Sequence, residues 1–243
     1  MWLGDGCSDS STIANMDVEV IEYLQNYAET HGLYARIRKC NVTNKCFSIH
    51  LSSGKPGRRN WILDELRRLN VLNNKHIPED YIYDSRENRL KLLAGLIDTD
   101  SWYEPKKQYL CMSQASQRKH IIYAAQYIAR SLGIKCTVIT KKVKTHKLRD
   151  RVIKGGNTEY RLILLNNHQD IPTKIARKQV KDYNRIQLDP LSTRFNIDYY
   201  GVDQYYGFTV DKDNLFVLGD FTIVHNSFDN LSAAWQIARP SVE

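Results

Sequence analysis

The chain has 243 residues, of which 42% are hydrophobic, 10% aromatic and 26% charged. This composition is typical of a folded globular protein and excludes a disordered or collagen-like chain. No apolar run approaches the roughly 20 residues of a membrane helix, and no basic segment followed by an apolar stretch opens the sequence. Five cysteines without C-x-x-C spacing favour reduced thiols over a disulfide scaffold. We therefore expect an intracellular protein, in cytoplasm or nucleus, with no membrane partner.

Positive charge is concentrated in the middle of the chain. The net charge is +8, yet residues 101–198 hold 20 Lys and Arg against 7 Asp and Glu, while residues 1–100 and 199–243 are each net negative. Such a localised positive field is typical of a protein that binds a polyanion. Nucleic acid is the partner we expect from charge alone, and an acidic protein or a membrane surface is the less specific alternative.

The sequence repeats one order of elements. In each copy a short acidic motif precedes an amphipathic helix that ends at a glycine, and a strand, a linker and a second strand follow. The motifs end at Asp5 and Asp100, the helix-ending glycines are Gly32 and Gly133, and the strand-like segments include Cys46–Ser53 and Thr158–Asn167. This repetition predicts a duplicated α+β unit with pseudo-two-fold symmetry.

The second acidic motif reads as a tightly packed helix that ends at a carboxylate. Ser85 is an N-cap residue for this helix, whose leucines and isoleucine recur at helical spacing. Ala94 and Gly95 are small enough for a second helix to approach closely. Asp100 then leaves the end of the helix and points out of the interface between the two helices.

Leu92–Asp100, with the sequence LLAGLIDTD, resembles the signature of the LAGLIDADG homing endonucleases at nearly every position. Trp2–Gly6, WLGDG, resembles the first copy of that signature as it occurs in endonucleases embedded in inteins. In that family two such helices pack side by side, and their terminal aspartates hold divalent metals on the scissile phosphates of DNA. The resemblance implies a site-specific double-strand DNA endonuclease, monomeric, with Asp5 and Asp100 as ligands of Mg²⁺. For Asp5 alone a turn aspartate would be the simpler interpretation, and the duplication favours the functional one.

The same resemblance implies a catalytic lysine. Asn74–Pro78, NKHIP, resembles the segment that supplies it in intein endonucleases, so Lys75 is the candidate. The matching segment of the second half, His168–Pro172, has Gln169 in place of a lysine, which predicts unequal half-sites and a slow second strand cut. Ser101 replaces the glycine that closes the family motif. Because glycine tolerates positive φ, we expect Ser101 to strain the turn that aims the preceding aspartate.

Recognition of DNA is predicted for basic strands. Residues 135–154 alternate basic and apolar side chains, which suits a two-stranded ribbon in the major groove. The candidate DNA-binding residues are Arg36, Arg38, Lys39 and Lys45 in the first half and Lys135, Lys141, Lys142, Lys144, Lys147, Arg149, Arg151 and Lys154 in the second. The sequence does not separate base contacts from phosphate contacts.

The C-terminal segment has a different pattern. Strand-like residues 205–210 and 215–218 flank a turn, and a second tight turn leads into a strand that ends at His225. Followed by Asn226 and Ser227, this pattern resembles the last conserved blocks of an intein and implies a small all-β, Hint-type segment. The resemblance implies protein splicing, in which the side-chain amide of Asn226 attacks its own carbonyl and breaks the bond to Ser227. His225 would assist by protonating the leaving amine or by polarising the scissile carbonyl, and Ser227 would accept the upstream acyl group as an ester that rearranges to an amide.

An intein also needs an N-terminal splicing half with its own nucleophile, and neither precedes Trp2. We therefore expect a fragment whose partner is an N-terminal intein fragment. The predicted organisation is a first endonuclease half with a truncated motif in residues 1–85, a second half in 86–198, a splicing segment in 199–226 and a piece of the host protein in 227–243.

Three functions fit these patterns. The first is the intein-borne endonuclease with C-terminal splicing residues. The second is a decayed remnant that binds DNA without cutting it, given the shortened first motif, Ser101 and Gln169. The third is a maturase-like, RNA-binding module without enzymatic activity. The ending in His225, Asn226 and Ser227 argues against the third, because RNA splicing has no use for it.

Overall fold

A computed structural model describes residues 1–40, 45–55, 57–148, 151–153, 155–165, 168–179, 196–204, 210 and 212–225, with backbone alone for residues 146–148 and 151–153. The chain divides into two compact units, Met1–Gln187 and Leu188–Glu243. None of the helices in these described ranges combines the length and the apolar composition that a bilayer crossing requires.

The first half of the larger unit is a three-stranded sheet backed by a helix. Its elements are α1 (Trp2–Asp5), β1 (Thr12–Asn15), α2 (Val18–Thr30), β2 (Tyr34–Lys39), β3 (Phe47–Ser52) and α3 (Trp61–Arg68). The strand order is β1-β3-β2, and both pairings are antiparallel. Alternation along the strands turns Ile13 and Ile49 to the side of α2, where they pack with Val20 and Leu24 in a buried core.

The second half has a larger sheet. Its elements are α4 (Glu79–Ile82), α5 (Arg86–Asp100), β4 (Ser101–Glu104), β5 (Tyr109–Ala115), α6 (Lys119–Ser131), β6 (Cys136–Lys142), β7 (His146–Leu148), β8 (Arg151–Ile153) and β9 (Thr158–Leu164). The main sheet has the antiparallel order β4-β5-β9-β6, and β7 and β8 form a separate two-stranded ribbon. Leu110, Met112 and Leu162 of this sheet pack against Ile121 and Ile128 of α6.

The two halves repeat one topology. The order β1-β3-β2 with α2 corresponds to β5-β9-β6 with α6, so the predicted repeat of a helix followed by two strands is present. The strands β1 and β5, which precede the helix in each half, were not predicted. The registers also agree, because Gly6, which follows Asp5, faces Ile13, and Ser101, which follows Asp100, faces Met112. In the first half, the bridge between Gly6 and Ile13 corresponds to the pairing of β4 with β5 in the second half.

The helix ends follow the sequence signals. Gly32 and Gly133 adopt positive φ angles of 63° and 75° just after α2 and α6, as left-handed residues at helix C-termini do. Ser85 accepts a hydrogen bond from the backbone nitrogen of Asn88 through its Oγ at 3.2 Å, so the predicted N-cap of α5 is confirmed. The α5 helix continues to Asp100 itself.

The segment after β9 connects the two cores. Ile171 is buried in the core of the second half, whereas Ile175, four residues later, is fully buried in the core of the first half. A short 3₁₀ turn, Ala176–Lys178, follows. The segment therefore ties the two halves together beside the ends of α1 and α5.

The smaller unit contains an antiparallel hairpin, β10 (Leu215–Val217) with β11 (Ile223–His225), in which Leu215 pairs with His225. This hairpin agrees with the second and third strands predicted for the segment. The first predicted strand lies outside the described residues except for Val210, and Asn226, Ser227 and the rest of residues 226–243 also lie outside them.

Candidate active site

The two aspartates that end the acidic motifs lie close together. Asp5 ends α1 and Asp100 ends α5. The helices pack so closely that a Cβ added to Gly4 would lie 2.7 Å from Asp100 Oδ2, and a Cβ added to Gly95 would lie 2.5 Å from the backbone nitrogen of Met1. The predicted need for a small residue at Gly95 is confirmed. This crossing brings both carboxylates to one place.

The carboxyl groups of this pair resist ionisation. Burial raises the pKa of Asp100 to about 6, and the neighbouring charge of Asp5 adds to the rise. Burial also raises the pKa of Asp5, although a hydrogen bond from Asn15 and the positive charges of Lys178 and Lys75 oppose that rise. Two half-buried carboxylates that repel each other form a site at which a cation is stabilised.

Each carboxylate is oriented by an amide side chain from the sheet of its own half. Asn15 Nδ2 donates to Asp5 Oδ2 at 2.6 Å, and Gln114 Nε2 donates to Asp100 Oδ2 at 2.8 Å. The two amides occupy equivalent positions in the repeat. Gly6, after the first aspartate, pairs with Ile13, and Asn15 lies two residues further along β1. Ser101, after the second aspartate, pairs with Met112, and Gln114 lies two residues further along β5. The sequence analysis missed both. The available signal was a polar residue at the last inward-facing position of a strand whose other inward-facing residues are apolar.

Lys75 lies at the end of α1. Its Nζ donates to the carbonyl oxygens of Gly4 at 3.1 Å and Gly6 at 2.6 Å, and it lies 5.1 Å from the centroid of the Trp2 ring. Burial lowers the pKa of Lys75, and the nearby charge of Arg118 lowers it further. The lysine therefore neutralises the carbonyl end of the helix that presents Asp5.

The corresponding place in the second half holds a different lysine. Gln169 is exposed and lines a cavity of about 290 Å³, and Lys178 lines the same cavity. The Nζ of Lys178 donates to the carbonyl oxygens of Ile97 at 2.9 Å and Asp98 at 2.7 Å, in the last turn of α5. Burial lowers the pKa of Lys178. The sequence analysis did not single out Lys178, because it lies outside the motif that carries Gln169.

Ser101 does not strain the turn, so that expectation was wrong. Its backbone is extended, with φ −117° and ψ 165°, and it is the first residue of β4. This conformation is open to any residue and needs no glycine. Its Oγ donates to the carbonyl oxygen of Ile97 at 2.6 Å, so the serine closes the end of α5 with a buried hydrogen bond.

The first aspartate of the second motif, Asp98, has a structural role. It is 1% exposed, and its carboxylate accepts hydrogen bonds from the backbone nitrogens of Lys174 and Ile175 at 2.9 to 3.1 Å. These bonds hold the segment after β9 against α5. They also fix the 3₁₀ turn that delivers Lys178.

The residues at this site fit a magnesium ion. Among the described residues no group of three or more His, Cys, Asp and Glu side chains converges, so the candidate ligands are the pair Asp5 and Asp100. Mg²⁺ is commonly bound through one or two carboxylates, with water and substrate phosphate oxygens filling the remaining positions. The unfavourable ionisation of Asp100 is the kind of charge imbalance that a divalent cation relieves.

The candidate DNA-binding residues lie mostly at the sheet surfaces. Arg36 and Arg38 are exposed on one side of β2. Arg36 lies opposite His50 of β3, which lies opposite Thr12 of β1, so this outer surface of the first sheet is polar. Lys39 and Lys45 are exposed on either side of the β2–β3 connection. Lys135 is half-buried, and Lys141, Lys142 and Lys144 are exposed at the end of β6.

Two of the remaining candidates lie on the β7–β8 ribbon. Lys147 is in β7 and Arg151 is in β8. Arg149 and Lys154 lie outside the described residues.

Arg118, which the sequence analysis missed, lies in the turn before α6, and its charge lowers the pKa of Asp100. His225, the described member of the splicing residues, is exposed at the end of β11 in the smaller unit.

Comparison with known proteins finds a family match for part of the chain. Residues 76–169 match the family model described as homing endonuclease. The homothallic switching endonuclease of Saccharomyces cerevisiae (strain ATCC 204508 / S288c) is 24% identical over 254 aligned residues, which cover 90% of this chain. The replicative DNA helicase DnaB of Mycobacterium intracellulare is 30% identical over 143 residues, which cover 59% of this chain. The chain spans 41% of the length of the first relative and 20% of the second.

Solved structures of I-DmoI resemble the fold loosely. The crystal structure of I-DmoI with DNA and Mn matches 63% of this chain and 72% of its own chain, with 12% sequence identity and a TM-score of 0.38. A mesophilic variant of I-DmoI matches 67% of this chain and 83% of its own, with 12% identity and a TM-score of 0.39.

Proposed function

We propose that this chain is a site-specific endonuclease that cuts both strands of DNA, with Asp5 and Asp100 as its metal ligands. The observation that carries the proposal is the meeting of these two carboxylates at the ends of two closely packed helices. The match of residues 76–169 to the homing endonuclease family supports the reaction class. The basic middle of the chain supports DNA as the substrate.

The side chains around the aspartates have separate tasks in this proposal. Asp5 and Asp100 would hold Mg²⁺, which when bound stabilises the charge that develops at a scissile phosphodiester. Asn15 and Gln114 keep each carboxylate in one orientation through the amide hydrogen bonds. Lys75 holds the end of α1 through its hydrogen bonds to Gly4 and Gly6, and its positive charge acts on both aspartates.

The surface supports a division between backbone and base contacts. Arg36 and Arg38 project from an outward face of β2 beside His50 and Thr12, which gives the first sheet donors that suit base edges in a major groove. The exposed lysines at the end of β6 suit phosphate contacts, which position a protein without reading sequence.

We also propose that the C-terminal segment belongs to an intein and performs the asparagine-cyclisation step of protein splicing. The hairpin β10–β11 supports this proposal, because it ends with His225 directly before Asn226 and Ser227. Asn226 would attack its own carbonyl and release Ser227, and His225 would protonate the leaving amine. An N-terminal intein fragment would supply the first nucleophile.

The endonuclease proposal is tested on a library of random duplexes with Mg²⁺, in which the ends of cleaved molecules are sequenced. We expect one recurring site, cut on both strands. Asp5→Asn and Asp100→Asn each remove a ligand charge while keeping the shape, and should lower the cleavage rate by at least about 100-fold. Asp203→Asn, an exposed aspartate of the smaller unit, is the matched control and should cut normally.

The outcomes separate the alternatives. Tight binding to a selected site without cleavage would identify a decayed DNA-binding remnant. Preference for RNA over duplex DNA would identify a maturase-like module. Undiminished cleavage by Asp100→Asn would refute the assignment of the site.

A further inference from the structure

Two lysines are buried among the described residues of the larger unit, and each is bound to a different helix that presents an aspartate. Lys75 is 6% exposed and Lys178 is 3% exposed. Lys75 donates to carbonyl oxygens at the end of α1, and Lys178 donates to two carbonyl oxygens in the last turn of α5. Carbonyls at a helix C-terminus lack partners within the helix and form its negative end, so each ammonium group serves one helix.

Lys178 lines the cavity beside Gln169, the position that corresponds to Lys75 of the first half. The segments that contain Lys75 and Gln169 share the ending Ile-Pro, which sets these two positions opposite each other in the repeat. Gln169 is a neutral amide, but Lys178 lines the same cavity of about 290 Å³ from a point nine residues further along the chain. The charge missing at Gln169 is therefore present from another backbone position.

We propose that Lys178 is the lysine of the second half-site, a positioning residue that fixes the end of α5 and its aspartate as Lys75 fixes the end of α1. This inference rests on the proposed endonuclease function. It replaces the expectation that Gln169 makes the second strand cut slow. With one buried lysine at the end of each helix, the enzyme cuts the two DNA strands of its site at comparable rates.

The anchoring of Lys178 explains how it reaches this position. Asp98 binds the backbone nitrogens of Lys174 and Ile175, and Ile175 is fully buried in the core of the first half. These contacts fix both sides of the segment, so the following turn delivers Lys178 to the last turn of α5. Because each lysine is attached to a different helix, removal of one should disturb mainly one of the two strand cuts.

The test uses the chain on a supercoiled plasmid that carries its selected site, with the two strands labelled separately. The variants are Lys75→Met, Lys178→Met and, as the matched control, Lys91→Met, an exposed residue of α5 paired with Glu87. We expect Lys178→Met to slow one strand by about 100-fold and the other by less than about 3-fold, with nicked plasmid accumulating. Lys75→Met should show the opposite strand preference, and Lys91→Met should match the unaltered chain.

Two further variants distinguish positioning from mere stability. Lys178→Arg keeps the charge and should retain most of the cut that Lys178→Met loses. Gln169→Lys in the Lys178→Met background places an ammonium group in the same cavity and should restore the slowed strand. DNA affinity without metal, measured for every variant, should stay within about 3-fold of the unaltered chain, since one buried lysine contributes little to the charged surface.

The possible failures are distinguishable. Equal slowing of both strands by Lys178→Met, with no recovery in Lys178→Arg or in the Gln169→Lys combination, would show a structural lysine and overturn this inference alone. A Lys178→Met protein that does not fold, together with a Lys178→Arg protein that cuts both strands equally slowly, would also overturn it. Absence of any cleavage by the unaltered chain would refute the proposed function, and this inference with it.

Discussion

At the scale of single residues, the site is made of groups held in states that water would not favour. Asp100 has a pKa raised to about 6 by burial and by Asp5, and Lys75 and Lys178 have pKa values lowered by burial. Each departure costs folding free energy, because the unfolded chain would ionise these groups freely. Such departures concentrate at functional sites, where a bound ion or substrate supplies the missing charge.

Asp100→Asn should stabilise the metal-free protein at pH 7. There Asp100 is ionised in both states, and the folded state bears the cost of a buried charge beside Asp5. As the pH falls from 6 toward 4, the folded carboxyl gains a proton before the unfolded one, whose pKa is near 3.8, so this cost disappears. Each pKa unit is worth about 1.4 kcal/mol, and after discounting for partial exposure we expect a gain of about 1 to 2 kcal/mol.

Denaturant unfolding in EDTA at pH 7 and pH 4.5 measures this difference. The gain in the free energy of unfolding should shrink or vanish at pH 4.5, and Asp203→Asn, an exposed aspartate, should show no change at either pH. An Asp100→Asn protein less stable than the unaltered chain at pH 7 would contradict the burial cost assigned to this carboxyl.

At the scale of elements, local signals predicted more than long-range ones. Gly32 and Gly133 mark helix ends, and Ser85 marks a helix start, because these residues act on backbone within one turn of themselves. The positions of Gln114 and Lys178 depend on sheet register and on a segment that crosses between the two cores. No local pattern encodes such contacts, so the sequence indicated the two aspartates and Lys75 but not Asn15, Gln114 or Lys178.

The contact between α1 and α5 leaves no room for a methyl group at Gly4. A Cβ there would meet the side chain of Thr99 and lie 2.7 Å from Asp100 Oδ2. Gly4→Ala should therefore lower the free energy of unfolding by about 1 to 3 kcal/mol, the usual cost of overpacking. It should also abolish cleavage, because the helices must separate. Gly219→Ala meets no atom within 4 Å and should change stability by less than about 0.5 kcal/mol.

Thermal and urea unfolding of the two variants test this contact. Equal stability of Gly4→Ala and Gly219→Ala would show that the helix ends are not in close packing. Reduced stability with normal cleavage would show that the spacing of the carboxylates tolerates the shift.

At the scale of the whole molecule, charge and chemistry are divided along the chain. The larger unit contains both aspartates, the buried lysines and most of the basic surface, whereas residues 199–243 are net negative and end in the hairpin and the residues after it. An acidic segment does not assist binding to DNA phosphates. We therefore do not assign residues 199–243 to the proposed DNA-binding surface.

The splicing proposal makes a prediction that is independent of DNA cleavage. Mixing the chain with an N-terminal intein fragment, in which a short host segment precedes the Cys or Ser nucleophile, should release a product in which that host segment is joined to residues 227–243. The join forms because the host acyl group moves to Ser227 and Asn226 cyclisation then breaks the bond before Ser227. Intact-mass spectrometry detects both the ligated product and the loss of the C-terminal piece. Asn226→Ala should abolish release, and His225→Ala should slow it by about 10² to 10⁴-fold, the usual contribution of a general acid. Asp5→Asn should leave splicing unchanged, since Asp5 belongs to the larger unit. Ligation that persists in Asn226→Ala, or that never appears with any complete N-terminal fragment, would refute the intein proposal while leaving the endonuclease site intact.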